Sequence, residues 1–232
     1  MKFKERLLQG ILIKRYKRFF VDIKYQNKTI TAHCPNSGSM MGLIKEGNNV
    51  WFSQSDNPKR KLKYTIEIIK VNNKLVGVNT FLTNKIVAEA LKLKKIKKLA
   101  EFNDIKPEAK FSKQTRFDFL ISNEKKKCFV EVKNVTLSRK NKVAEFPDSP
   151  TSRGVKHLND LYIAKQKGFD AYILYLVQRN DCESFKIAAD IDQNYKFNLD
   201  KALKSGVKLL CYDCKISNEE IKLNKEVKYI LL

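Results

Sequence analysis

Two acidic residues and a lysine in the middle of the chain have types and spacing that suit metal-assisted phosphoryl chemistry. Asp118 lies in the alternating segment 115–121, and Glu131 and Lys133 lie in a second such segment, 128–134, beyond a polar turn. If the two segments form a hairpin centred on that turn, the numbers of any two facing residues add up to 249. Asp118 then faces Glu131, and the hydrophobic pattern selects this register because a one-residue slip would invert the faces.

In this register one face of the hairpin is apolar and the other carries the charged residues. The apolar face is expected to contain Phe117, Phe119, Ile121, Cys128, Val130 and Val132. Directly opposed like charges destabilise a strand pair, so a cation is expected between Asp118 and Glu131. Two explanations stay open: Lys133 or Arg116 neutralises the pair on an ordinary solvent-facing hairpin, or a divalent metal does. In the second, the metal activates a water and Lys133 stabilises the developing charge.

Residues 1–80 have the pattern of a small β-barrel. Strand-like segments alternate with turns rich in Asn, Gly and Pro, and they occupy 10–13, 19–23, 29–32, 50–52, 64–69 and 75–78. Five or six short strands in this length are typical of a small barrel. An OB-like barrel is one candidate, and such barrels often bind nucleic acids through basic grooves and aromatic side chains.

Residues 81–232 have a different pattern, in which helices and strands alternate. We expect helices over about 85–101, from 151 or 152 to 167, and over 199–205. Asn84 is a candidate N-cap for the first of them. The continuously apolar segment 171–177 is expected to be a central strand, covered on both faces. This order of elements indicates an α/β domain with a mixed sheet.

The charge of the chain favours a polyanionic partner. Lys and Arg number 47 against 25 Asp and Glu, which leaves a net charge of +22. Residues 1–80 hold 16 basic and 5 acidic residues, about twice the charge density of the rest. A uniform Lys bias from an AT-rich genome would not produce this asymmetry, so we expect DNA binding. The candidate DNA-binding residues are Lys14, Arg15, Lys17, Arg18, Lys59, Arg60 and Lys61, which interleave with Tyr16, Phe19 and Tyr64.

Several other classes of protein are disfavoured by the sequence. It has no apolar run long enough for a membrane-spanning helix, and the charged N-terminus does not resemble a signal peptide. Five irregularly spaced cysteines argue against a disulfide framework, so a cytoplasmic location is expected. No glycine-rich phosphate loop is present, which argues against a nucleotide-driven motor.

A set of ordered motifs resembles a known family. Asp118 followed by Glu131 and Lys133 resembles the core of the PD-(D/E)XK nuclease superfamily. A longer match resembles the sugar fermentation stimulation protein family, SfsA. The matching segments are LIKRYKRF at 12–19, HCPNSGSM at 33–40, NPKRK at 57–61, RFDFL at 116–120, EVKNVTL at 131–137, FPD at 146–148, RGVKHL at 153–158 and VQR at 177–179.

The resemblance implies a mixed α/β fold with an N-terminal OB-like domain over 1–80 and a restriction-endonuclease-like domain over 81–232. Asp118, Glu131 and Lys133 match the catalytic triad. The resemblance also places Gln178 in the catalytic set, just past the central strand. Glu89 is the expected third metal ligand beside Asp118 and Glu131, with Glu108 as the alternative. The segment before Asp118 lacks the glycine expected there, which affects the predicted loop shape more than the triad.

Two functions follow from the resemblance, and DNA is the expected partner in both. One is a deoxyribonuclease that uses Mg²⁺ or Mn²⁺ to hydrolyse phosphodiester bonds. The other is a non-enzymatic regulator of sugar (maltose) metabolism genes that uses the nuclease fold as a scaffold. No membrane partner is expected, and homo-oligomerisation is left open.

Three further groups of residues have weaker signals. His33 and Cys34 have no acyl-transfer motif around them, so a turn near a domain junction is the favoured interpretation. Cys211 and Cys214 lack the second cysteine pair of a structural zinc site, and we expect them in the core at a strand end. His157 either contacts a phosphate or packs within its helix.

Overall fold

Residues 8–77 form a sheet that closes on itself. The structure is a computed structural model, and it describes residues 1–230. The strands are β1 (Leu8–Tyr16), β2 (Phe20–Tyr25), β3 (Lys28–His33), β4 (Asn49–Gln54), β5 (Tyr64–Val71) and β6 (Lys74–Gly77). Their order is β3-β2-β1-β4-β5-β6, and an additional parallel pairing of β3 with β5 closes five strands into a barrel. The predicted OB-like barrel is confirmed.

A mixed α/β arrangement follows the barrel. Its elements are α1 (Thr83–Lys92), β7 (Asp104–Lys110), β8 (Arg116–Ser122), β9 (Lys127–Val135), β10 (Leu137–Lys140), β11 (Val143–Phe146), α2 (Ser152–Gln166), β12 (Asp170–Val177), β13 (Ser184–Ile187), α3 (Gln193–Lys204), β14 (Lys208–Ile216), β15 (Ile221–Glu226) and β16 (Lys228–Tyr229). The central sheet has the order β15-β14-β12-β9-β8-β7, and its middle strands β9, β12 and β14 are parallel. The predicted fold class is confirmed.

Apolar side chains cover both faces of the central sheet. On one face, Phe119, Ile121, Val130, Val132 and Leu174 of the sheet pack in one core with Ile86 of α1. On the other face, Phe117, Phe129, Ile173 and Tyr175 of the sheet pack in a second core with Leu158 of α2 and Leu199 of α3. Strand β12 contributes to both faces and is buried from Ala171 onward, as its continuous apolar sequence predicts.

The first helix is shorter than predicted and begins differently. Helix α1 ends at Lys92, whereas the sequence predicted a helix to residue 101. Lys94 has a left-handed φ of 53°, which interrupts the helical backbone before a short 3-10 turn over Lys97–Leu99. The predicted N-cap was also wrong: Leu82 occupies that position, and Asn84 lies inside the first turn. Its side chain is therefore free to bond elsewhere.

The sequence did not predict the second sheet or the full length of α3. Strands β10, β11, β13 and β16 form a separate four-stranded sheet, and none is longer than four residues. Helix α3 begins at Gln193 instead of 199, because the Asp192 side chain caps it by accepting from the backbone N–H of Tyr195. No helix within residues 1–230 has the length and apolar character needed to cross a lipid bilayer.

The barrel contacts the α/β part through backbone hydrogen bonds. The N–H of Gly77, at the end of β6, donates to the carbonyl of Gln178, just after β12, at 2.9 Å. A further contact joins the Met40 N–H to the Asp148 carboxylate at 3.1 Å. These bonds fix the barrel beside the ends of the central strands.

Candidate functional site

Strands β8 and β9 diverge beside Asp118. Their recorded pairs run from Ser122 with Lys127 to Phe119 with Val130, in the register predicted from the sequence. The ladder ends there. At the next level the Asp118 carboxylate accepts a hydrogen bond of 2.7 Å from the backbone N–H of Val132. The carboxylate thus takes the place that a backbone carbonyl of β8 would occupy in a continued ladder.

The predicted apolar face of this hairpin is wrong for one residue. Phe117 does not share a face with Phe119; its ring packs with Phe111 and Phe129 in the core beneath α2, at centroid distances of 5.2 Å and 5.0 Å. Strict alternation therefore fails at Asp118, the residue between the two phenylalanines. The sequence gives no signal of this irregularity, because alternation is the only pattern from which a face can be predicted.

Asp118 is held by two neutral donors and is disfavoured as an anion. Besides the Val132 N–H, the Nδ2 of Asn84 on α1 donates to Asp118 Oδ1 at 2.7 Å. Burial and the neighbouring charge of Glu131 raise the pKa of Asp118 to about 6, although these two hydrogen bonds and the Lys133 charge oppose the rise. A cation beside this carboxylate would relieve the repulsion.

Glu131 is almost fully buried, with 2% of its surface exposed. Its Oε1 accepts from Lys133 Nζ at 2.7 Å and also contacts Nδ1 of His157 on α2. Burial acts to raise the pKa of Glu131, but the Lys133 charge and the His157 hydrogen bond outweigh it and lower the pKa. The two carboxylates of the site therefore differ: one resists ionisation and the other favours it.

One carboxylate oxygen of the site lacks a hydrogen-bond partner among the described residues. Glu131 Oε2 is buried and has no hydrogen bond within the described chain. A buried carboxylate oxygen normally has a partner, which is supplied by protein, water or an ion. Asp118 and Glu131 fit a divalent cation in this respect, because Mg²⁺ requires only one or two carboxylates beside waters and substrate oxygens.

The structure corrects the predicted third carboxylate. Glu89 is on α1, but its carboxylate forms an ion pair with the N-terminal ammonium of Met1. The helix presents Asn84 to Asp118 instead. The alternative, Glu108, is exposed on β7 with a left-handed φ of 50°. Within residues 1–230, no three His, Cys, Asp or Glu side chains are grouped to hold a metal, so the predicted three-carboxylate site is wrong.

Gln178 lies at the junction between the barrel and the α/β part. It is fully buried, and its Nε2 donates to Asn134 Oδ1 at 2.6 Å and to Thr83 Oγ1 at 3.1 Å. A Cβ added to Gly77 would lie 2.5 Å from Gln178 Oε1, so the barrel backbone packs directly on this amide. These contacts position Gln178 beside Asn134, the residue after Lys133, and its catalytic role stays a prediction.

The basic residues at the β1–β2 turn differ in their exposure and in their contacts. Lys17 and Arg18 are exposed, and Lys14 lies 4.0 Å from Asp22. The Arg15 guanidinium donates to backbone carbonyls of Asn36 and of three other residues, Arg18, Gly38 and Ser39. It therefore ties the turn to a neighbouring loop. Arg18 also lines a cavity of about 430 Å³ that reaches Asn134 and Asp148 of the α/β part.

The second basic cluster lies on the loop between β4 and β5. Lys59, Arg60 and Lys61 are all exposed, and Arg60 Nη2 donates to Thr65 Oγ1 at 3.0 Å. Arg60 also lines a groove of about 970 Å³ that contains Lys85 of α1. The second cluster is thus available to a polyanion, and its role in DNA binding stays a prediction.

The structure locates the three groups of residues that had weaker sequence signals. Cys211 and Cys214 are buried free thiols, so their prediction as core residues is confirmed, but β14 continues to Ile216 and neither lies at the strand end. His157 packs against Glu131 instead of facing solvent, and the sequence signal for it was the RGVKHL motif. His33 ends β3, and Cys34 after it is buried in the barrel core. Asn84, by contrast, lies in none of the motifs and was missed as a contact of Asp118.

Comparisons with known proteins agree with this architecture. Residues 81–220 match the family model described as "Sugar fermentation stimulation protein RE domain", and residues 13–78 match "SfsA N-terminal OB domain". A "Sugar fermentation stimulation protein homolog" from Pelagibacter ubique (strain HTCC1062) is 54% identical over 230 residues, or 99% of each chain. A protein of the same name from Paramagnetospirillum magneticum (strain ATCC 700264 / AMB-1) is 45% identical, over 96% of this chain and 95% of its own.

A solved structure is similar over the whole chain. It is described as "The structure of Pyrococcus Furiosus SfsA in complex with Ca2+" and has a TM-score of 0.90, with 100% of this chain and 98% of that chain covered. Sequence identity is 23%. The similarity shows that the two chains have the same fold.

Proposed function

The chain belongs to the sugar fermentation stimulation protein family, and we propose that it binds DNA and hydrolyses its phosphodiester bonds with a divalent cation. The observation that carries this proposal is the pair of carboxylates at the fork between β8 and β9. Asp118 has a raised pKa, Glu131 has a buried oxygen without a hydrogen-bond partner within residues 1–230, and Lys133 is bonded to Glu131. Two carboxylates and a lysine in this arrangement suit phosphoryl transfer better than an ordinary solvent-facing hairpin.

Asp118 and Glu131 are the residues that would hold the cation. The Pyrococcus furiosus protein is described as a complex with Ca²⁺, which supports a divalent ion in this family. For catalysis we propose Mg²⁺ or Mn²⁺. When bound, such an ion polarises a phosphoryl oxygen and makes a water nucleophilic.

The other side chains of the site act by positioning and by charge. Asn84 and the Val132 N–H fix the Asp118 carboxylate, and His157 fixes Glu131 from the opposite helix. The Lys133 side chain is largely buried, with 12% of its surface exposed, and its ammonium stays bonded to Glu131. Its positive charge stabilises the negative charge that develops on a phosphate during hydrolysis.

Electrostatic attraction would bring DNA to the protein. The chain carries a net charge of +22, and the exposed residues Lys59, Arg60 and Lys61 lie on one barrel loop. Arg18 lines the cavity between the barrel and the α/β part, close to the end of β9. Contacts of this kind bind the phosphate backbone without reading its sequence.

Cleavage of labelled DNA tests the proposal. The wild-type protein is expected to cut with Mg²⁺ or Mn²⁺ and to stop when a chelator is added. Asp118→Asn should lose the cleavage, whereas the matched control Asp200→Asn, on a surface of α3, should keep it. DNA binding without cleavage by the wild type would refute the nuclease and favour the regulator, a function that the name of the relatives also suggests.

A further inference from the structure

Three aromatic rings form a row that leads from the barrel to α1. Phe19, in the β1–β2 turn, lies 6.5 Å from His33, and His33 lies 6.3 Å from Phe81, as measured between ring centroids. Phe19 is 41% exposed and Phe81 is 67% exposed, so two of the rings have free surface. The sequence separates these residues widely, and only the closed barrel brings them together.

The backbone that carries the last ring of the row is held by hydrogen bonds. Phe81 lies in a short 3-10 helix over Thr80–Leu82, and its N–H donates to the side chain of Asn79 at 3.0 Å. Asn79 in turn donates to the buried carboxylate of Glu67 at 2.7 Å. Because Phe19, His33 and Phe81 are contiguous, the exposed rings form one patch, and contiguous exposed apolar patches often mark binding sites.

Positive charges border the ring row on both sides. Arg18 precedes Phe19 in the β1–β2 turn and is exposed. At the other end, His33 and Phe81 line the 970 Å³ groove together with Arg60 and Lys85. Flat rings between cations suit a ligand that has both flat bases and phosphates.

We propose that the ring row Phe19–His33–Phe81 binds single-stranded DNA by stacking against its bases. This inference rests on the proposed function, since it names the strand that the Asp118 site would receive. Base stacking on aromatic side chains needs bases that are not already stacked in a duplex, whereas a duplex offers these rings only its sugars and phosphates.

The last ring of the row lies just before α1, the helix that also contacts Asp118. Phe81 precedes Asn84 by three residues, about one helical turn, and Asn84 donates to Asp118. A strand that stacks on Phe81 therefore lies at the end of α1 that also supports the candidate metal site. Lys85 follows Asn84 and lines the same groove as Phe81, so it supplies a positive charge for the phosphates of a strand bound there.

Fluorescence anisotropy with labelled oligonucleotides tests the proposal. The probes are a mixed-sequence DNA strand of about 16 nucleotides, its duplex, and an RNA strand of the same sequence. Phe81→Ala is expected to weaken single-strand binding by about 5- to 150-fold and duplex binding by much less, because phosphate contacts are unchanged. Phe81→Trp should bind as the wild type does. Phe197→Ala is the matched control, since Phe197 is a 69% exposed ring on α3.

The outcomes separate this proposal from the nuclease proposal. All binding is measured with a chelator, so stacking is tested even if no DNA is ever cut. An unchanged affinity in Phe81→Ala, or an equal loss for strand and duplex, overturns the proposal. If RNA binds more tightly than DNA, the ring row is an RNA-binding surface and the proposal is overturned as well. Failure of Asp118→Asn to affect cleavage would refute only the nuclease site.

Discussion

The backbone N–H of Val132 donates a 2.7 Å hydrogen bond to Asp118 Oδ2 at the level where the β8–β9 ladder ends. Asn84 donates to the other oxygen at the same distance, so both oxygens are fixed before a ligand arrives. Burial and the Glu131 charge nevertheless raise the pKa of Asp118 to about 6. The fold thus fixes the position of the Asp118 carboxylate, although ionising this group costs free energy. A bound cation would offset that cost.

The first prediction concerns the pH dependence of Asp118→Asn in the absence of metal. The folded pKa of Asp118, about 6, lies above its ordinary value of 3.8. The stability that this raised pKa contributes is therefore fully present below about pH 4, and it is lost as the pH rises through about 6. Relative to the wild type, the free energy of unfolding of the variant should rise by about 2 kcal/mol between about pH 4 and about pH 7.5.

Urea unfolding at both pH values, with a chelator present, measures this difference. Asparagine keeps an oxygen for the Val132 N–H, and a turned Asn84 amide accepts from the new NH₂ group, so both hydrogen bonds are retained. Asp200→Asn, which affects only a surface pair with Lys196, should show no such rise. A difference between Asp118→Asn and wild type that stays constant with pH would show that Asp118 titrates normally.

Glu131→Gln should have the opposite effect on stability. The pKa of Glu131 is lowered, so its contribution is present above its ordinary pKa of 4.5 and is lost as the pH falls. Removing this charge leaves Lys133 largely buried without its ionic partner, which is expected to cost about 3 kcal/mol at neutral pH. Urea unfolding at about pH 7.5 checks it, and wild-type stability in this variant would contradict the assignment of Glu131 as the ionised carboxylate.

A third prediction addresses the basic loop between β4 and β5. Replacing Lys59, Arg60 and Lys61 together by glutamine should weaken DNA binding with little dependence on sequence. The slope of log affinity against log salt concentration should become flatter by about 2–3, because up to three phosphate contacts are lost. The matched control replaces three exposed lysines near the end of α1, namely Lys92, Lys95 and Lys97. If only the control flattens the slope, the DNA surface lies at the end of α1 and on the segment that follows it.

The hairpin of the site was predictable because alternation has a period of two residues and fixes the register. The paired residues from Phe119 to Ser122 follow from that pattern alone. The same rule failed at Phe117, where the strand departs from regular alternation beside Asp118. A period identifies faces only while the backbone stays regular, and functional sites are common places for it to change.

The contacts that complete the site depend on how helices pack and were not predictable. Asn84 reaches Asp118 across 34 positions of sequence, and His157 reaches Glu131 across 26. Asparagine often caps helices, so the local sequence preference at Asn84 predicted the wrong role. Glu89, on the same helix, has the right chemistry but is paired with the N-terminal ammonium.

The central claim is that Asp118 and Glu131 hold a divalent cation. Thermal unfolding with and without Mg²⁺ or Mn²⁺ is its most direct test. A metal at ten times its dissociation constant stabilises the fold by about 1.4 kcal/mol, or about 3–6 °C for a chain of this length. The wild type should show this rise in melting temperature. Asp118→Asn should not, although it is at least as stable without metal, and Asp200→Asn should respond as the wild type does. A wild type that shows no rise, or an equal rise in Asp118→Asn, would contradict the metal site.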